Sequence, residues 1–176
     1  MRIEAGKPLV IPRGERMADG RYKNLIPQQG TLEFWFRPEW ALDDIADHTL
    51  VSCGQLRLYR RSQLGTYVSL GGGTYQSGFT TEPGRWYHLA VTWEAGGPGR
   101  EPKTRLFING LDMTGQVLSA PKNPLGDWTG QTLTIGGEVA CTIDDLRISD
   151  MVRYDGDFAL PSAPPAAEHA LVRMVF

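Results

Sequence analysis

The sequence predicts an all-β fold, an antiparallel two-sheet jelly-roll sandwich of about a dozen strands. Three observations predict it. Short segments rich in β-branched and aromatic residues recur along the whole chain. Turn-forming residues separate them, and no 3.6-residue period holds over more than about two turns.

The strand segments, in order, are PLVIPR, TLEFWFR, HTLVSC, QLRLYRR, TYVSLG, WYHLAVTW, TRLFING, QTLTIGG, ACTIDDLRIS and HALVRMVF. Between them stand Gln29-Gly30, Gly71-Gly72-Gly73, Glu82-Pro83-Gly84, Gly96-Gly97-Pro98-Gly99, Asn109-Gly110 and Gly136-Gly137, residue types that suit turns. TLEFWFR and WYHLAVTW carry large side chains on both faces, the pattern of strands covered on both sides, so they are expected at the centre. In QLRLYRR, Leu56 and Leu58 point one way and Arg57, Tyr59 and Arg61 the other. TYVSL places Val68 and Leu70 inward and Tyr67 and Ser69 outward, and Ser62 to Gly65 fit a hairpin loop between the two strands. ALDDIAD is at most one helical turn. LPSAPPAAEH reads as a surface connection before the last strand.

With 176 residues, the chain is the size of one domain, residues 1–176, and can bury one sizeable core. It has 18 basic and 20 acidic residues and no polybasic run, which speaks against nucleic acid as a partner. No apolar stretch reaches the ~18–20 residues of a membrane-spanning helix. The first residues, MRIEAGKPLVIPRG, lack the apolar core of a signal peptide. The expectation is a domain excised from a larger secreted or surface protein, with neighbouring domains, a cytoplasmic protein being the alternative. Cys53 and Cys141 could form a disulfide or be two small apolar core residues. A domain of this size needs no staple, which favours free thiols.

The succession GTLEFWFRPEW, GRWYHLAVTW, TRLFINGLDMTG, LTIGG and TIDDLRISDMVRY resembles the laminin G-like members of the concanavalin A-like lectin and glucanase superfamily, from about Gly30 to Tyr154. The resemblance is specific for fold and much less so for function, because the superfamily includes lectins, adhesion modules and glycosidases. It also implies a structural Ca²⁺ site built from an Asp and backbone carbonyls. By position these are Asp144 and the turn at Gly30. Alternation in IDDLRI puts Asp144 on the core side with Leu146 and Ile148, where a carboxylate needs a cation or several N–H donors.

The outward row Arg57, Tyr59, Arg61, Tyr67 and Ser69 is a candidate glycan platform, since aromatic rings stack on sugars and Arg donates to hydroxyls. An ordinary solvated strand face has the same composition. Tyr75, at the rim of that sheet, and Trp128, in GDWTGQ, are added as ligand candidates. Trp35, Trp86 and Trp93 are read as core packing. GGGTYQSG has no helix after it and is no phosphate cradle. There is no ExDxxE run, no HExxH and no GxSxG, so catalytic residues are not expected. The leading expectation is a noncatalytic glycan-binding module. A protein-binding or structural module is the runner-up, and a glycosidase with an unorthodox carboxylate pair the third reading.

Overall fold

Ten residues, Gln29–Pro38, form the longest strand, and both of its faces are covered. In the computed structural model, which describes residues 1–12, 18, 28–62, 64–120, 131–160 and 169–176, it is the third of fourteen strands. They are β1 (Arg2–Ile3), β2 (Leu9–Ile11), β3 (Gln29–Pro38), β4 (His48–Cys53), β5 (Leu56–Arg60), β6 (Thr66–Leu70), β7 (Gly73–Gln76), β8 (Tyr87–Glu94), β9 (Lys103–Ile108), β10 (Leu111–Asp112), β11 (Gln116–Ser119), β12 (Leu133–Ile135), β13 (Cys141–Ser149) and β14 (Ala170–Met174). No helix occurs among the described residues.

The strands make two antiparallel seven-stranded sheets. The first runs β1-β13-β3-β8-β9-β10, with β14 also paired to β13. The second runs β11-β7-β6-β5-β4-β12-β2. This is the jelly-roll sandwich that the strand pattern predicts, with β3 and β8 central as their two-sided burial requires. The core lies between the sheets. Leu32, Phe34 and Phe36 of β3, Leu89, Val91 and Trp93 of β8, and Ile143, Leu146 and Ile148 of β13 meet Val51, Leu58, Val68, Leu70 and Ile135 of the second sheet. Each buried apolar side chain contributes about 1.5–3 kcal/mol through its removal from water.

The Asn109-Gly110 turn closes the β9–β10 hairpin, with φ of 53° and 80°. Positive φ at both central residues is the demand that selects Asn-Gly in a two-residue hairpin. Cys53 and Cys141 are free and buried, and burial pushes each thiol up to about 12.

The outer face of the first sheet is closed by the segment 151–160. The Tyr154 and Phe158 rings stack at 3.6 Å, and Phe158 packs on Phe107 at 5.5 Å and on His88 at 5.8 Å. Thr31 Oγ1 donates to the Met151 carbonyl at 2.8 Å and accepts from the Arg153 N–H at 3.0 Å. The Phe158 N–H donates to the Gly110 carbonyl at 2.8 Å. The second large face of TLEFWFR and WYHLAVTW is therefore a second, smaller packing surface. Trp86 departs from the core reading. It precedes β8, is 42% exposed, and carries the Arg37 guanidinium 5.4 Å from its ring. Trp93 is buried as expected, and Trp35 is half-buried beside His88.

Candidate functional site

Where the segment 151–155 leaves the sheet, an open cleft of about 550 Å³ remains on the outer face of β8 and β9. Period-2 alternation creates its floor. Thr92 and Arg105 are directly paired across β8 and β9, and Lys103 lies opposite Glu94, so all four side chains point away from the core. Gln29 and Asp155 close the ends, and Arg153 and Tyr154 form the wall. Arg105 is paired with Asp112, and Glu94 with Arg100 at 2.7 Å. Lys103 is exposed and makes no salt bridge with a described residue. The cleft thus offers amide, hydroxyl, ammonium and guanidinium groups beside a Tyr154 ring that Phe158 and Arg153 already cover in part, a set suited to hydrogen bonding with a polyhydroxylated ligand. Its volume lies in the range of small-ligand sites.

The wall is fixed from behind by Glu33, which is 2% exposed. The Tyr154 hydroxyl donates to Glu33 Oε2 at 2.7 Å. Arg153 Nε lies 3.0 Å from Glu33 Oε1, His88 Nε2 lies 3.5 Å from Oε2, and Arg147 Nε lies 3.9 Å from Oε1. Burial is the strongest influence on the Glu33 carboxyl and works to raise its pKa. The hydrogen bonds from His88 and Tyr154, with the charge of Arg153, outweigh it and hold the group below its ordinary value of 4.5. Burial, then the bond to Glu33, pushes Tyr154 up to about 12. Glu33 is therefore an ionised anchor, sealed from the cleft by the residues it holds. It lacks both the proton of a general acid and the access of a general base.

The sequence-predicted residues fall elsewhere. Arg57 and Tyr59 do lie on the outer face of the second sheet, Arg57 exposed and Tyr59 half-buried, and the exposed Arg61 follows the end of β5. Tyr67 joins them on that face but is 2% exposed, which corrects its reading as a solvent-facing ring. Tyr59 stacks on Tyr67 at 5.3 Å, and the Arg57 guanidinium sits 4.5 Å above Tyr59. The Tyr59 ring is thus covered in part by Tyr67 and Arg57, and two of the Arg57 donors go to Thr49 Oγ1, at 2.7 and 3.2 Å. Ser69 bonds Thr74 at 3.0 Å. What this face presents is exposed guanidinium groups, hydroxyls and one half-buried ring. Tyr75 is not a rim residue of that face. It pairs with Val68, faces the core and is 6% exposed. Trp128 lies outside the described residues.

Asp144 is also repositioned. A bulge between Asp144 and Arg147, with Asp145 at φ 47°, breaks the alternation and puts Asp144 opposite Trp35, on the outer face. Its Oδ1 accepts the N–H groups of Asp145 at 2.8 Å and Phe176 at 3.0 Å. Gly30 stands five residues along β3 from Trp35, about 16 Å at the rise of an extended strand. Its glycine answers to packing instead, since a Cβ there would lie 2.2 Å from Trp93 Cζ2. Among the described residues no three His, Cys, Asp or Glu side chains converge. Asp144 and Gly30 do not together fit a Ca²⁺ ion. EDTA is accordingly expected to leave the melting temperature unchanged in differential scanning calorimetry. A rise in melting temperature with added calcium would show coordination that this arrangement does not provide.

The Glu33 cluster and the cleft were missed by sequence reasoning. The signal that could have found the cluster was an acid centred in a strand otherwise apolar on both faces, TLEFWFR, with His88 in its neighbour.

No curated protein matches the chain in sequence. Among solved structures, a candidate carbohydrate-binding protein from Bacteroides ovatus ATCC 8483 aligns with a TM-score of 0.63 and 18% identity, over 99% of this chain and 52% of that one. Trypanosoma rangeli sialidase aligns with a TM-score of 0.58 and 13% identity, over 86% of this chain and 25% of the enzyme. Domain 4 of AbnA, an extracellular arabinanase of Geobacillus stearothermophilus solved with arabinotriose, aligns with a TM-score of 0.50 and 14% identity, over 89% of this chain and 71% of that one. The chain thus spans a quarter of the sialidase and about half of the Bacteroides protein. At such identities these likenesses show the fold. The family pattern itself covers residues 17–156, more than half the sequence, and the chain belongs to the laminin G-like part of the concanavalin A-like lectin/glucanases superfamily.

Proposed function

We propose that this domain is a noncatalytic glycan-recognition module, part of a larger secreted or surface protein, and that it holds its ligand in the cleft over β8 and β9. The observation that carries the reading is the cleft itself. It is open, about 550 Å³ in volume, with a floor of hydrogen-bonding side chains on β3, β8 and β9 and a wall from the segment 151–155. Sites on strands hold their geometry better than sites on loops, which suits recognition of hydroxyls at fixed spacing. The arabinotriose found with the structurally similar arabinanase domain supports the same class of ligand.

The test is a glycan array followed by titration calorimetry on the strongest responder. Lys103→Ala is expected to weaken binding about tenfold, the effect of losing one charge-assisted hydrogen bond of about 1.5 kcal/mol. Arg57→Ala, on the other sheet, is expected to leave affinity unchanged. The reverse pattern would move the site to the Arg57–Tyr59 face. Release of reducing sugar by the purified domain would overturn the noncatalytic half of the reading.

A further inference from the structure

We propose, building on that reading, that the cleft is one half of a longer site, and that the domain takes an oligosaccharide chain draped across strand β9 in place of a single sugar. Strand β9 is the observation. β10 pairs only with Phe107 and Ile108, so among the described residues the backbone from Lys103 to Arg105 is an open sheet edge. On its outer side is the cleft. On its inner side, between the two sheets, lies a second depression of about 300 Å³. Lys103 and Arg105 line both, and so form the ridge that joins them.

The inner depression has the chemistry of a sugar subsite and carries an unmet demand. Thr104 pairs with Trp93, faces inward and is 4% exposed. Its Oγ1 is sealed from solvent and has no hydrogen-bond partner of good geometry, although the Tyr75 hydroxyl is close by. Buried hydroxyls in folded proteins are ordinarily satisfied, so an orphan one just behind the lining of a depression is a demand that a ligand hydroxyl would meet once the lining side chains turn aside. Tyr75 contributes an inward ring with its hydroxyl, and Asp112 and Thr114 complete the lining. Asp112 Oδ1 accepts from Thr114, and its other oxygen from Arg105. A hydroxyl-rich unit offers both the donor and the acceptor that Thr104 and Tyr75 can use. A second unit of the same chain, across the ridge, reaches Thr92 and Gln29 in the cleft. Linking two weak subsites through one chain raises affinity because the second contact becomes intramolecular.

The experiment measures affinity against chain length. The probes are xylo-, arabino- and gluco-oligosaccharides of graded length, from the monosaccharide upward, titrated calorimetrically into the full chain and into Thr104→Val and Tyr75→Phe. Each substitution removes one oxygen and keeps the side-chain shape. For the series that binds, affinity is expected to rise at least about tenfold from monosaccharide to trisaccharide. That gain is expected to fall about fivefold in each variant, while the melting temperature of Thr104→Val stays at the parent value because no internal bond is lost. Affinity independent of chain length, or a length dependence that both variants retain, would overturn the two-subsite proposal and leave glycan recognition in the cleft intact. Failure of the parent to bind any of the sugars would instead overturn the glycan reading on which it rests.

Discussion

Replacing Glu33 with alanine is expected to destabilise the domain by about 3–5 kcal/mol, a large fraction of the stability of a typical domain. The carboxylate is the common partner of Arg153, His88 and the Tyr154 hydroxyl, all on the outer face of the first sheet. Without it the guanidinium of Arg153 stays largely enclosed, 18% exposed, with its counter-charge gone. The segment 151–160 loses its anchor, so the expected outcome is a lower urea midpoint together with loss of the cleft wall. A change below about 1 kcal/mol would mean that the ring stack of Tyr154, Phe158 and Phe107 holds the segment alone. The cluster also sets an acid limit. Because the folded pKa of Glu33 lies below its ordinary value of 4.5, its contribution is complete above that pH. It is lost as pH falls from there through the lowered folded value, since the unfolded state then binds more protons. The parent is expected to lose stability over that acid window, and Glu33→Gln to lose this part of the pH dependence.

The second large effect is expected at Gly30. Gly30→Ala is expected to cost about 3 kcal/mol, the upper end of the usual cost of overpacking a core. Gly30 is paired with Trp93 across β3 and β8, and the indole lies over the space that a side chain would need. The contact is 2.2 Å to Cζ2, and Trp93 is 1% exposed, so the ring has no room to give way. Its backbone does not require glycine through a positive φ. Space is the reason, and space can be restored. Gly30→Ala combined with Trp93→Leu is expected to be more stable than the sum of the two single effects, a coupling read from urea unfolding of the double-mutant cycle. Strict additivity would show that Trp93 does not set the identity of residue 30.

Much of the fold was legible because alternation is a local property. Leu56, Leu58, Val68 and Leu70 face inward as their period predicts. TLEFWFR and WYHLAVTW are covered on both faces, the exposed Trp86 excepted, and Asn109-Gly110 closes its hairpin. The errors arose where something non-local intervened. Asp144 changed face because one extra residue, Asp145, bulges out of β13. Tyr67 does lie on the outer face, but its burial depends on Tyr59 from the neighbouring strand. Tyr75 turned inward because its register places it opposite Val68. The cleft joins β8 and β9 to residues 151–155, and the bond from Tyr154 to Glu33 spans 121 positions. No local period announces such a meeting. The polar residues inside two apolar strands, Glu33 and His88, were its one visible trace.

Backbone amide chemical-shift mapping during titration with the best-binding oligosaccharide tests the account most directly. The largest changes are expected at Thr92, Lys103, Thr104, Arg105 and Arg153, on both sides of β9. Changes centred on Arg57, Tyr59 and Ser69, with the β9 amides unmoved, would contradict it.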